Sequence, residues 1–156
     1  MNSYCTYALH QIEVAVVSIV AIIDKLDEGD LLVKPTQGKH SVGELLKHIA
    51  VLCRADFHIS EGATQEEMNV YHAGVSLNNL KDIQAEILSN YSYLERAFRE
   101  MTEEELHQEM TSYWGVAYSR YEWLLQIVAH MYHHRGQLHA MLVHCNRKDP
   151  RVPLFE

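Results

Sequence analysis

An all-α fold, an antiparallel four-helix bundle with long crossover loops, is what the sequence predicts, and three observations predict it. Four long segments repeat their apolar residues in steps of three and four, the spacing of one helix face. Ser41-Val-Gly-Glu44, Thr102-Glu-Glu-Glu105 and Ser119-Arg-Tyr-Glu122 each carry the hydroxyl-then-glutamate box that opens a helix. No stretch alternates apolar and polar residues long enough to build a convincing sheet, so helix must pack on helix.

A chain of 156 residues fits one domain, taken here as 1–156, and is long enough to bury a core without staples. Its hydrophobic content of 47% with 22% charged residues is that of a folded protein, and 7 Gly and 3 Pro leave little room for linkers. Net charge is −8, from 13 basic against 21 acidic residues, and no basic run interrupts it, which argues against a nucleic-acid partner. Cys5, Cys53 and Cys145 are odd in number and far apart, as expected of reduced thiols serving as small apolar filler. Val14 to Ile23 is nearly all apolar, yet it is short for a bilayer, and Asp24-Lys-Leu-Asp-Glu-Gly-Asp30 follows at once. The expectation is a soluble, cytoplasmic protein without a membrane partner.

The first helix runs from Ser3 to about Leu26, with Ile12, Val16, Ile19, Ile23 and Leu26 on one stripe. Val14, Val17 and Ile22 lie off that stripe, and apolar residues on a second side predict a homodimer contact. Gly29 to His40 is read as a loop before the box at Ser41 starts the second helix. Leu45, His48, Leu52, Ala55 and Ile59 form the stripe of that helix, which places His48 on an inward face with Glu44 one turn before it, able to orient the ring.

Residues 60–76 keep no sustained period and are expected to form a long crossover with at most one short helical turn. The third helix spans about Leu77 to Met101, its stripe running through Leu80, Ile83, Ile87, Tyr91, Leu94, Phe98 and Met101. The box at Thr102 opens a short turn, and Ser112, Trp114, Val116 and Tyr118 suggest an extended or hairpin-like excursion around Gly115. The last helix starts at Ser119 and runs through Trp123, Ile127, His130, His134, Leu138 and Met141 to about Cys145, where Asn146-Arg-Lys-Asp-Pro150 stops it.

That last helix carries the stretch His130-Met-Tyr-His133-His134-Arg135-Gly136-Gln137-Leu-His139. His130 and His134 stand one turn apart, about 40° around the axis, and can reach one ion together. With 11 His in the chain about 0.8 such pairs arise by chance, so orientation must carry the reading rather than spacing. The residue after His130 is Met131 and not the glutamate a zinc protease uses as base. His48 supplies a candidate third nitrogen, and three nitrogens from two facing helices leave a coordination position open. His133, His139 and His144 point away from that face and are expected at the surface. Arg135 is a weaker candidate, suited to a substrate carboxylate or to a structural bond, and Gly136 suits close helix packing. The aromatics between Tyr113 and Trp123 suit either a pocket roof or the core.

Leu45-Leu46-Lys47-His48-Ile49 with the late His-x-x-x-His-Arg-Gly-Gln resembles the DinB family, bundle proteins of the DinB/YfiT-like type, over nearly the whole chain. The resemblance implies first and second helices joined antiparallel, with long crossovers later. It also implies zinc or nickel on His48, His130 and His134, and frequent dimers. Ala129 stands where relatives commonly carry Asn. The family has no single reaction: some members are S-transferases using bacillithiol, mycothiol or glutathione, and others resemble maleylpyruvate isomerases.

Three functions follow as expectations. One is a metal-dependent transfer to or from a low-molecular-weight thiol, with a small-molecule substrate admitted by the 60–76 and 113–123 segments. Another is a metal-binding stress protein without catalysis, its ion closing the bundle. The third is a metal-dependent hydrolase, for which Glu44 is the one carboxylate base in view.

Overall fold

A computed structural model describes residues 2–156. Six helices, α1 (Ser3–Ile23), α2 (Val42–Ser60), α3 (Gln65–Ala73), α4 (Leu80–Glu100), α5 (Glu103–His107) and α6 (Arg120–Ala140), are joined by a 3₁₀ turn at Glu28–Leu32 and a hairpin of β1 (Glu109–Thr111) and β2 (Ala117–Ser119). The four long helices close a ring, with α1 packed on α4 and α6, and α2 packed on the same two. Helices α1 and α2, neighbours in the chain, therefore sit across the diagonal rather than side by side.

The starts of these helices are chemical. At α2, Ser41 Oγ accepts from the Glu44 amide at 3.0 Å while the Glu44 carboxylate accepts from the Ser41 amide at 2.6 Å, so both orphan donors are satisfied. The same reciprocal box opens α5 at Thr102 and Glu105, and at α6 Ser119 Oγ takes the Glu122 amide. It also opens α3, at Thr64 and Glu67. The 60–76 crossover is thus a helix of nine residues rather than a single turn. Only Met68 of α3 is buried, which is why no apolar stripe announced it.

The stripes of α1 and α4 pack as expected, and that of α2 does so except at His48, which is exposed, and Ile59, which is partly buried. Ile12, Val16, Ile19 and Ile23 are buried from α1, with Leu26 just past its end, Leu45, Leu52 and Ala55 from α2, and Ile83, Ile87, Tyr91, Leu94 and Phe98 from α4. Helix α1 has the length and mean hydropathy, 1.7, of a membrane-crossing helix, and half of that window is buried inside the protein. On α6 the expected Trp123, Ile127 and Leu138 are buried, but Leu124, Met131 and Arg135 complete the buried line in place of His130 and His134, and it continues to Leu142 just past the helix. His130 and His134 precede Met131 and Arg135 by one residue, about 100° around the axis, and so lie at the edge of the core rather than in it.

Past Ala140 the helix loosens into a π turn at Met141–Cys145. The tail then folds back and is ordered against the core. Pro150 is buried, and Val152 and Leu154 pack against the core cluster. Lys148 Nζ reaches Asp30 at 2.6 Å and Asp27 at 3.1 Å, tying the tail to the loop after α1. Gly43 permits one close approach, since a Cβ there would meet the Leu31 carbonyl at 2.7 Å. Gly136 does not serve helix packing, because a Cβ on it would meet nothing within 4 Å.

Cys5 and Cys53 are buried, Cys145 is exposed, and all three are free thiols. The hairpin confirms the extended excursion, pairing Glu109 with Ser119, Met110 with Tyr118 and Thr111 with Ala117 around Gly115, whose φ of +94° favours glycine.

Candidate metal centre

Where α2 packs on α6, three imidazoles converge. His48 Nε2 lies 3.0 Å from His134 Nε2 and 3.4 Å from His130 Nε2, and the potential ligand atoms of the trio fall within 4.8 Å of one another. Nitrogens bound about 2.0–2.1 Å from one tetrahedral ion stand about 3.3 Å apart, so both distances from His48 fit a shared divalent cation.

The outer nitrogens fix which way the rings face. His130 Nδ1 donates to Asp56 Oδ2 at 2.7 Å, and His134 Nδ1 donates to Gln137 Oε1 at 3.0 Å. With the protons held at Nδ1, both rings turn a lone pair toward His48. His48 Nε2 carries at most one proton to share between them, so without a cation two lone pairs confront each other. A metal ion could accept all three lone pairs, and the outward bonds are of the kind that orient histidines toward a metal. The donor set fits zinc or nickel, both well served by neutral imidazole.

Burial disfavours the charged form of two of the rings, His48 and His134. Crowding by protein atoms, and then the facing His134 and His130, push His48 down to about 4. Crowding likewise lowers His134. His48 nevertheless has an exposed edge, and the other two rings are partly buried, so the inward placement read from the α2 stripe is corrected to a groove opening on solvent.

Asp56 was not among the residues singled out in the sequence. It lies eight positions after His48, two turns along α2, too far to share an ion with it. The crossing of α6 brings His130 to it, and its side chain is only 12% exposed.

The two other candidates lie elsewhere. Glu44 is spent on capping α2, its bond from the Ser41 amide holding its carboxyl below the usual range. Arg135 is 3% exposed and turns toward α1, donating to Ser18 Oγ at 3.0 Å and to the Leu154 carbonyl, with Tyr132 and Phe155 rings 4.4 and 4.7 Å away. It anchors the tail. His133 and His144 are exposed and His139 is partly so.

Beside His48 a cavity of about 280 Å³ is lined by Lys47, His48, Val51, His72, Val75 and Leu77. The α3 crossover thus forms one wall, as expected. The 113–123 aromatics contribute nothing to that lining. Trp123 is buried, donates to the Met110 carbonyl at 3.1 Å and packs edge-on against Trp114 and Tyr118, so this group supports the hairpin.

Comparison with known proteins gives consistent matches. The sequence profile described as DinB superfamily matches residues 11–138. The solved structure of a protein assigned to the DinB family, from Exiguobacterium sibiricum, is 30% identical with a TM-score of 0.86, covering 99% of each chain. A DinB-like protein from Bacillus subtilis is 19% identical with a TM-score of 0.68, over 97% of this chain and 96% of its own. A mycothiol-dependent maleylpyruvate isomerase is 16% identical with a TM-score of 0.66, over 88% of this chain and 63% of its own, a likeness of fold. No curated protein matches the chain.

Proposed function

The chain belongs to the DinB superfamily, and from that premise we propose that it is a metal-dependent enzyme holding zinc or nickel on His48, His130 and His134 and acting in thiol S-transfer. The observation that carries the reading is the convergence of three Nε2 atoms, two of them aimed by bonds at the opposite ring nitrogen. A divalent ion bound there favours the thiolate of a low-molecular-weight thiol at neutral pH.

The chain's own residues supply the rest. Asp56 and Gln137 hold the Nδ1 protons and fix the ring planes, while Val51, Val75 and Leu77 give the adjoining cavity an apolar wall for a small molecule. Three protein nitrogens leave the ion a free position, which favours catalysis over a closed structural site. Hydrolysis is the weaker reading, because Glu44 is engaged at Ser41 and Asp56 at His130, so neither carboxylate is placed to activate water. The thiol-dependent isomerase of similar fold supports thiol chemistry on this scaffold.

We further read the ring of long helices as an antiparallel four-helix bundle, and the protein as a cytoplasmic homodimer that binds neither nucleic acid nor membrane. The net charge of −8 supports the exclusion of nucleic acid, and Val17, 59% exposed on α1, supports the dimer.

The test is conjugation of monochlorobimane by metal-loaded protein with bacillithiol, glutathione, cysteine or coenzyme A. Metal-dependent product that His134→Ala abolishes is expected with at least one thiol. No product and no thiol-induced shift in Tm would leave a metal-binding protein without S-transfer.

A further inference from the structure

We propose that the cavity beside His48 recognises a carboxylate on the small molecule that reaches the metal, and that Lys47 is the residue that selects it. This rests on the metal-centre reading above and adds a substrate class to it.

The argument begins with the local charge. The chain as a whole carries −8, yet no carboxylate lines this cavity; its polar groups are the Lys47 ammonium and the imidazoles of His48 and His72. The acidic residues closest along α2 are both committed, Glu44 to the Ser41 amide and Asp56 to His130. Neutral imidazoles would add no charge to a bound ion, so the ion and Lys47 together would outweigh the one carboxylate nearby, Asp56 behind His130, and make a positive pocket in an acidic protein.

The shape agrees. Lys47 and Val51 stand one turn apart on α2, and His48 lies about 100° around the helix from Lys47, so all three border the same space. The opposite wall comes from the end of α3 and the link that follows. Three carbonyls near its end are hydrogen-bonded within the wall itself, Val70 and Tyr71 to the Gly74 amide and His72 to the Val75 amide. Val51, Val75 and Leu77 are left to contact a short alkyl segment between the group on the metal and the group on Lys47. At about 280 Å³ the space suits a small acid.

The experiment titrates Co(II)-loaded protein with 3-mercaptopropionate, 2-mercaptoethanol, cysteamine and, separately, propionate, reading the visible Co(II) spectrum rather than turnover. The expected result is that 3-mercaptopropionate binds about fivefold tighter than 2-mercaptoethanol, the size of one partly exposed ion pair, with cysteamine weakest. Lys47→Gln should erase the ranking at unchanged Co(II) stoichiometry, and Lys47→Arg should restore most of it. Equal binding of the three thiols, or a ranking that survives Lys47→Gln, would overturn the carboxylate inference and leave S-transfer standing. A Lys47-dependent response to propionate with no response to any thiol would support the inference and overturn S-transfer. Silence with every probe would overturn both.

Discussion

Asp56 Oδ2 accepts from His130 Nδ1 at 2.7 Å, joining the C-terminal part of α2 to the middle of α6 just behind the candidate ion position. The bond sets the His130 tautomer, and a carboxylate there also makes the imidazole a stronger ligand. Asp56→Ala should therefore lower metal affinity about 10- to 100-fold while the protein stays folded, and Asp56→Asn, which keeps an acceptor but loses the charge, should fall between. Competition with a chelator measures both. Equal affinity in Asp56→Ala and the parent would remove this residue from the centre.

The metal-free protein should be acid-sensitive. His48 is held near 4 against an ordinary 6.5, and His134 is lowered too, so between those pH values the unfolded chain binds more protons than the folded one. Stability from these rings is fully present above about 6.5 and is lost as pH falls toward 4. Thermal melts across that window should show Tm falling with pH, less steeply in His48→Asn. A slope unchanged by that substitution would place the titrating groups elsewhere.

Two glycines should respond oppositely to alanine. At Gly43 the new methyl meets the Leu31 carbonyl, a backbone atom that cannot swing aside, and Tm should fall by the equivalent of about 1–3 kcal/mol. At Gly136 the methyl meets nothing, so helix propensity alone acts and the protein should gain about 0.5–1 kcal/mol. Calorimetry of the two variants compares them directly.

Assembly is tested at Val17. Its side chain is 59% exposed on α1, beside a groove of about 480 Å³ shared with Val14, Ala21 and the tail from Val152 to Phe155. Light scattering should give twice 18.0 kDa, and Val17→Glu should shift the protein toward monomer without unfolding it. A parent protein that is already monomeric would contradict the dimer.

Helices α1, α2 and α4 were legible because each buries enough apolar surface to impose a period, whereas the three histidines stood out through the resemblance rather than through periodicity. Helix α3 was not, since burying Met68 alone leaves no stripe, although Thr64 and Glu67 spelled its start. On α6 apolar residues occur around most of the circumference, so periodicity could not choose between the line through His130 and the true one through Met131 and Arg135. Asp56 was invisible for a different reason: its partner is 74 residues away, and only the packing of α2 on α6 makes the pair. Arg135 looked available for chemistry because nothing in the sequence shows the tail returning to Leu154.

The most direct measurement is metal content by plasma mass spectrometry after loading with zinc or nickel and desalting. The account predicts one ion per chain in the parent and in His133→Ala, and none in His48→Ala, His130→Ala or His134→Ala while circular dichroism shows each still helical. Full occupancy in folded His130→Ala, or no ion in the parent, would contradict it.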